Sequence, residues 1–419
     1  MSYPDSVRYL YSLGNELRLG TKFGLERMRT LLAKLRNPER GQRFVHIAGT
    51  NGKGSTCAMI ANVLTHAGYR AGLYTSPHLV EPTERIQISG QPVTPAKFTR
   101  AFETVHTAAE ALLKEERIDT HPSYFETVTA MALLIFREHC DVSVIEVGLG
   151  GRLDATNVIQ PELCVITPVS FDHESFLGNT LESIAAEKAG ILKPGVPLVL
   201  SRQPAAASAV ILERARELDC EITRTADLAM SDVVLTSRGS TFRAGNVRHE
   251  CPLAGEHQIE NAAAAILACR GLGVNSSAIQ AGLSAVQWPG RLEPVRQKPD
   301  FVLDGAHNPA GAAALAAYIR SFCSDRPVWI VYGAMRDKAI EEVTGQLFPL
   351  AERLILTAPT FLRALRPEAI LAVSGHPNAV IAETLPIAIQ IASAAPPEAT
   401  VFFTGSLFLV GEARALLIR

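Results

Sequence analysis

The segment Gly49-Thr50-Asn51-Gly52-Lys53-Gly54-Ser55 concentrates more chemistry than any other part of the chain. It follows the apolar run Phe44–Ala48 and leads into a helical pattern that opens with Ser55 and Thr56. Glycines let backbone N–H groups approach a polyphosphate. A lysine neutralises its outer oxygens, and a helix N-terminus adds partial positive charge. The spacing departs from the common phosphate-binding loop, which has glycine five residues before the Gly-Lys pair and Ser or Thr directly after lysine. Here Ile47 holds the first position, Gly54 follows Lys53, and Ser55 is displaced by one residue. A plain strand-to-helix turn with a surface lysine is the competing reading. The crowding of Gly, Thr, Asn, Lys and Ser between a strand and a helix favours phosphate binding, and ATP is the expected ligand.

Four other residues are placed to do chemistry. Glu146 closes the apolar run Val142–Ile145, just before a Gly-rich loop. Ligands of open α/β sheets collect at the carboxyl ends of strands, where a carboxylate suits magnesium. Helix capping or a loop ion pair is the alternative. Ser76 also follows a strand and precedes Pro77, where turn chemistry alone would explain it. His173 follows Thr167–Asp172, and magnesium's preference for oxygen argues against it on chemistry alone. Lys188 is different. Thr180 reads as a helix N-cap and Gly190 as the end, so Leu181, Ile184, Ala185 and Lys188 share one inward stripe. Burial favours a neutral amine, which can take up carbon dioxide as a carbamate. A lysine snorkelling toward Glu182 or Glu187 is the simpler reading.

These residues need a scaffold of alternating elements. Strand patterns fall at Phe44–Ala48, Ala71–Thr75, Val142–Val147, Leu163–Thr167 and Pro197–Ser201, with helical patterns between them. Cys220–Pro252 alternates more, with a hairpin turn at Arg238-Gly239-Ser240, and Gly255–Gly271 is an alanine-rich helix. Trp288-Pro289-Gly290-Arg291 breaks the pattern. Beyond it come strands at Phe301–Leu303, Val328–Tyr332, Arg353–Thr357 and Val401–Thr404. A helix is expected over Pro309–Arg320, and another from the end of Val328–Tyr332 through Glu341. The expected fold is α/β. A P-loop-type, mainly parallel sheet domain covers 1–294, and a smaller Rossmann-like α/β domain covers 295–419. The amphipathic stretch Leu25–Leu35 reads as ordinary core packing.

Composition bounds the partners. The chain has 419 residues, 47% of them hydrophobic and 20% charged, which fits a globular protein with a large core. A net charge of −2 gives no global field for nucleic acid or anionic lipid. The seven cysteines form no C-x-x-C pair, which suits a reducing cytoplasm. No basic-then-apolar leader opens the chain, and no stretch of ~18 apolar residues would cross a membrane.

The chain resembles the folylpolyglutamate synthase/dihydrofolate synthase family of the Mur ligase superfamily. The resemblance rests on an ordered set of segments: Gly49–Ser55, Thr75–Leu79 with Glu84–Ile86, Ser123–Glu126, Glu146–Asn157, Asp172-His173, Glu187–Ile191, Gly255–Gln258 with Asn261, Pro289–Glu293 and Leu303–Pro309. It implies an ADP-forming ligase in which ATP phosphorylates a substrate carboxylate and the amino group of L-glutamate displaces phosphate. The acid would be 7,8-dihydropteroate, a reduced folate or both, and the enzyme a monomer. The resemblance further implies that Lys53, Lys188, His173 and Glu146 are catalytic. Thr50, Asn51, Gly52, Lys53, Gly54, Ser55, Asn261, Arg291, Asp304 and His307 would hold ATP. Ser76, Glu146, His173 and a carbamylated Lys188 would hold magnesium. Ser123, Tyr124, Phe125 and Glu126 would face the pterin, together with Leu153, Asp154 and Ala155. Aromatic faces can stack on a flat pterin, and carboxylates can accept its N–H groups. Read alone, Phe125 is core packing and Ser123 a helix cap. Two rival functions are a Mur-type ligase acting on a UDP-linked precursor and a non-catalytic nucleotide-binding regulator. The 43 residues before Phe44 are too few for the separate domain that UDP-binding Mur ligases usually carry, and the set Glu146, His173 and Lys188 argues against a regulator.

Overall fold

The computed structural model describes residues 1–14, 24–336, 339–361 and 363–418. They fall into two compact units. One comprises Met1–Val169, Asn179–Ala229 and Glu260–Ala285; the other comprises Ser170–Gly178, Met230–Ile259 and Val286–Arg419.

The first unit is built on an eight-stranded sheet: β1 (Phe44–Ala48), β2 (Ala71–Tyr74), β3 (Ile86–Ile88), β4 (Gln91–Pro92), β5 (Val142–Glu146), β6 (Leu163–Ile166), β7 (Leu198–Leu200) and β8 (Ile222–Arg224). Their order is β4-β3-β2-β5-β1-β6-β7-β8, with β3 and β4 antiparallel and the other pairings parallel. Every residue of β1, β5 and β6 is buried. That is the signature of parallel strands covered on both faces, and it explains why these runs are continuous rather than alternating. One core forms where the helices Pro95–Lys114 and Tyr124–His139 meet the short helix Glu26–Lys34, through Phe98, Phe102, Phe136, Met28 and Leu31.

The second unit carries two sheets. Strands β9 (Met230–Thr236), β10 (Gly239–Ala244) and β11 (Val247–Cys251) form an antiparallel ribbon, whose first turn is Ser237-Arg238. The other sheet has the order β12-β13-β17-β14-β15-β16, from β12 (Glu293–Arg296), β13 (Asp300–Leu303), β14 (Val328–Tyr332), β15 (Arg353–Leu356), β16 (Ala379–Ile381) and β17 (Thr400–Thr404). Only the edge strand β12 runs antiparallel in this sheet. One expectation fails here. The helix after β14 does not occupy the stretch up to Glu341; it runs over Ile340–Leu347. The backbone just after β14 is used otherwise. Gly333 donates to Thr404 O, Ala334 O accepts from Leu365, and Met335 bridges Ala364.

Candidate functional site

The carboxyl edge of the first sheet gathers the expected residues in a row. Strands β2, β5, β1 and β6 are neighbours and parallel, so the segments that leave them emerge side by side. Ser76 follows β2, Glu146 ends β5, Gly49–Ser55 follows β1, and Thr167-Pro168 follows β6. This is the edge where ligands of open α/β sheets bind.

The loop after β1 is tightly constrained. Gly49 has φ +148°, and a Cβ there would lie 1.8 Å from Thr167 Oγ1. Thr50 and Asn51 donate their N–H groups to Pro168 O at 3.0 and 3.3 Å. Gly52 has φ +85° and begins the helix Lys53–His66; a Cβ there would lie 2.2 Å from Asn261 Oδ1. Asn261 therefore sits against the turn itself. Because the N-cap is glycine, no side chain caps this helix. Its first-turn N–H groups have no carbonyl partners within the helix, which makes the end a natural anion seat.

Two lysines meet at this loop. Lys53 Nζ donates to Gly49 O at 3.1 Å and to Thr50 O at 3.0 Å. Lys188 is only 4% exposed, and its Nζ donates to the same Gly49 O at 2.9 Å. Thr180 caps the helix Leu181–Ala189 and Gly190 ends it, which turns Ile184, Ala185 and Lys188 inward. The expected alternative partner Glu187 instead pairs with Arg152 at 2.8 Å. One carbonyl oxygen thus gathers two lysine nitrogens, and the Lys53 ammonium stands at the helix start, where positive charge suits a multiply charged anion. On the neighbouring strand, buried Glu146 accepts the Ser76 N–H at 3.0 Å.

The expected pterin segment lies in the same unit. Ser123 and Glu126 cap the helix Tyr124–His139 reciprocally, with Ser123 N–H donating to Glu126 at 2.8 Å and Glu126 N–H to Ser123 Oγ at 3.2 Å. Glu126 also takes Arg27 at 2.8 Å. Tyr124 stacks on Tyr11 at 5.7 Å and 3°, and the Arg85 guanidinium lies 5.0 Å from its ring centre. Phe125 is buried beside Tyr74. Arg85 donates to His78 Nδ1 at 2.8 Å, and the His78 pKa is pushed down to about 3 by burial and by Arg85. Tyr11, His78 and Arg85 had been given no role. Their grouping depends on contacts that no local pattern carries, although the segments Thr75–Leu79 and Glu84–Ile86 held His78 and Arg85.

Asp154 turns toward its own loop. It accepts from Leu149 N–H at 2.9 Å, from Thr156 N–H at 3.0 Å and from the Thr156 hydroxyl. Burial raises its carboxyl above the usual range. The Thr156 hydroxyl donates to Asp154, so it accepts from His46 Nε2 at 2.9 Å. This buried relay holds the turn Ala155–Val158 and leaves Leu153 and Ala155 beside it.

His46 carries a measurable consequence. Burial pushes its pKa down to about 3, against about 6.5 in an unfolded chain. Its stabilising contribution is therefore complete above about 6.5 and drains away as pH falls toward 3, by up to ~1.4 kcal/mol per pH unit. Asp154, with its raised pKa, acts in the opposite sense as acid is added. Urea unfolding between pH 7 and pH 4 should show a shallower loss of stability in His46→Gln than in the parent. Equal slopes would contradict the assignment.

In the second unit, Asp304 anchors the break. It accepts from Leu292 N–H at 2.9 Å and Ala306 N–H at 3.0 Å, and burial raises its pKa. Arg291 lies beside it and donates to Gly290 O at 3.1 Å. His307 Nδ1 reaches Gly305 O at 2.7 Å. Asp172 is the residue whose part was missed. It lies 3.8 Å from His173 Nε2 and 3.6 Å from His307 Nε2, and accepts from Asn308 Nδ2 at 3.1 Å. It ties the His173 segment to the loop after β13. Its place beside His173 in the sequence was visible, but its partners were not.

Known proteins resemble this chain along its whole length. The Mur ligase middle domain family matches residues 47–269, and the Mur ligase, glutamate ligase domain family matches 290–407. The chain is 34% identical over 431 residues to the dihydrofolate synthase/folylpolyglutamate synthase of Bacillus subtilis (strain 168), covering 99% of each chain. Folylpolyglutamate synthase from Mycobacterium tuberculosis, solved with ADP and AMPPCP, is similar with a TM-score of 0.92 and 32% identity, over 100% of this chain and 99% of that one. E. coli FolC in complex with DHPP and ADP has a TM-score of 0.87 and 31% identity, over 98% of this chain and 97% of its own. On this agreement of loop, strand edge and full-length similarity, the chain belongs to the dihydrofolate synthase/folylpolyglutamate synthase family of Mur ligases.

Proposed function

We propose that the protein is an ATP-dependent ligase that adds L-glutamate to 7,8-dihydropteroate, to reduced folates or to both, releasing ADP and phosphate. The observation that carries this reading is the pair Lys53 and Lys188 on Gly49 O, at the uncapped start of the helix Lys53–His66. A carboxylate becomes a good electrophile once one oxygen is phosphorylated, and the cost lies in gathering anions at one place. Lys53 and the loop N–H groups would hold the transferring phosphate. Thr50, Asn51, Gly52, Gly54, Ser55 and Asn261 would complete the nucleotide seat, with Arg291, Asp304 and His307 assigned to it on family resemblance.

The oxygen donors Glu146 and Ser76, on adjacent strand ends, fit magnesium. Magnesium bound there would neutralise phosphate charge. His173 and an unmodified Lys188 offer nitrogen, which magnesium takes poorly. A carbamate on Lys188 would supply oxygens, and its remaining N–H could keep the bond to Gly49 O. We therefore assign Lys188 a carbamate, with His173 included on resemblance alone. Ser123, Tyr124, Phe125, Glu126, Leu153, Asp154 and Ala155 form the proposed pterin wall. Asp154 and Glu126 also shape it through their internal bonds. The two family matches leave a gap at residues 270–289, which supports a boundary just before the proposed residue 294. The free state of all seven cysteines supports a reducing compartment such as the cytoplasm.

The test is glutamate-dependent ADP release with dihydropteroate, tetrahydrofolate or a UDP-muramyl peptide as the acid. Release with either pterin acid and none with the muramyl peptide is expected. The reverse pattern would replace this function with cell-wall ligation, and release with none of the three would remove ligase activity.

A further inference from the structure

A second polar cluster lies outside the residues assigned to ligation. His106 and Glu110 stand one turn apart on the helix Pro95–Lys114, and His121 lies in the loop before Ser123. His106 Nδ1 is 3.9 Å and His121 Nε2 is 3.8 Å from the same Glu110 Oε1. All three donor atoms fall within 4.8 Å of one another. Both ring nitrogens are shielded from solvent and have no hydrogen-bond partner among the described residues. Buried polar atoms in that condition are rare and call for an explanation.

The rings are pre-oriented. His121 Nδ1 lies 2.9 Å from Pro122 O, and a carbonyl can only accept. The proton therefore sits on Nδ1, and Nε2 presents its lone pair to the cluster. Metal-ligating histidines are commonly fixed by this kind of bond. His106 is stacked on Phe102 at 5.5 Å and 7°, with the Tyr9 ring edge-on at 4.6 Å. The Glu110 side chain is 52% exposed and leaves a route for entry.

Two imidazole nitrogens and one carboxylate oxygen are the donors zinc takes in open sites, with water in the fourth position. Magnesium and calcium prefer oxygen and are disfavoured. Bonds of about 2.0–2.1 Å in a tetrahedron need donors roughly 3.3 Å apart, so the two gaps to Glu110 would close by about half an ångström and the gap between the rings, within 4.8 Å, by at most about 1.5 Å. We infer that His106, Glu110 and His121 form a site for a zinc-class divalent ion, which ties the helix Pro95–Lys114 to the segment entering the helix Tyr124–His139. His121 is two residues from the N-cap Ser123, so the ion would brace the Ser123–Glu126 cap and its Arg27 partner.

The test uses the full chain, stripped with chelator and titrated with zinc alone in excess magnesium, which masks oxygen-rich sites. One zinc per chain should bind, with a melting temperature raised by roughly 2–4 °C. His121→Ala and Glu110→Gln should each weaken binding by at least about tenfold. Glu110 is largely exposed, so its variant keeps the fold. Cobalt should give tetrahedral visible bands in the parent and lose them in both variants. No zinc uptake by the parent, or equal stoichiometry and affinity in parent and variants, would overturn the site.

Discussion

Lys53→Ala is expected to lower ATP-dependent glutamate addition by at least about 10³-fold while leaving the protein folded. The ammonium makes two hydrogen bonds, both to loop carbonyls, at Gly49 O and Thr50 O. Each such bond contributes about 0.5–1.5 kcal/mol net, and the half-buried site lets water replace the lost donor. The fold should therefore survive. The charge that would meet the phosphate has no such replacement. Lys188 already lies on Gly49 O, yet it is buried behind the loop's first residue and cannot take over both positions. Circular dichroism and thermal melting would check the fold, and coupled ADP release would check turnover. A folded variant with near-normal turnover would contradict the phosphate clamp.

The second large effect is at Lys188. Lys188→Met removes the amine but keeps a long apolar stem on the inward stripe with Ile184 and Ala185. One hydrogen bond to Gly49 O is lost, at a net cost of about 0.5–1.5 kcal/mol, because that oxygen still accepts from Lys53 Nζ at 3.1 Å. Turnover should fall by about 10²–10³-fold, the range for loss of one preorganised electrostatic group. Lys188→Arg separates the two roles the residue could have. A guanidinium keeps the cation but cannot become a carbamate. Turnover within about tenfold of the parent would show that positive charge suffices, and the carbamate would be wrong. Native mass spectrometry in bicarbonate provides a second readout. The parent should gain the mass of one carbon dioxide, and both variants should not.

Much of the site was legible because its determinants are local. The apolar run Phe44–Ala48, the glycines and the following helix are consecutive in the chain, so a strand–turn–helix could be read directly. The inward stripe of Leu181–Ala189 likewise located Lys188 in the interior. Its partner could not be read, because Gly49 lies 139 residues away. Asp172 shows the same limit: its bond to Asn308 spans 136 residues. The antiparallel strands β3, β4 and β12 were missed for another reason. They hold only two to four residues, too few for an alternation to stand out. The stretch after β14 resembled a helix start, but its backbone groups were taken by Thr404 and Leu365.

The central claim is that a phosphoryl group held at the Gly49–Ser55 loop activates the pterin acid before glutamate attacks. It is tested most directly by oxygen transfer. The acid is labelled with heavy oxygen in its carboxylate and turned over with ATP and glutamate, and the products are weighed. Phosphorylation followed by amine attack leaves one carboxylate oxygen on the departing phosphate. The account predicts one heavy oxygen in each inorganic phosphate released. Unlabelled phosphate, with the label kept wholly in the acid or carried on AMP, would contradict it.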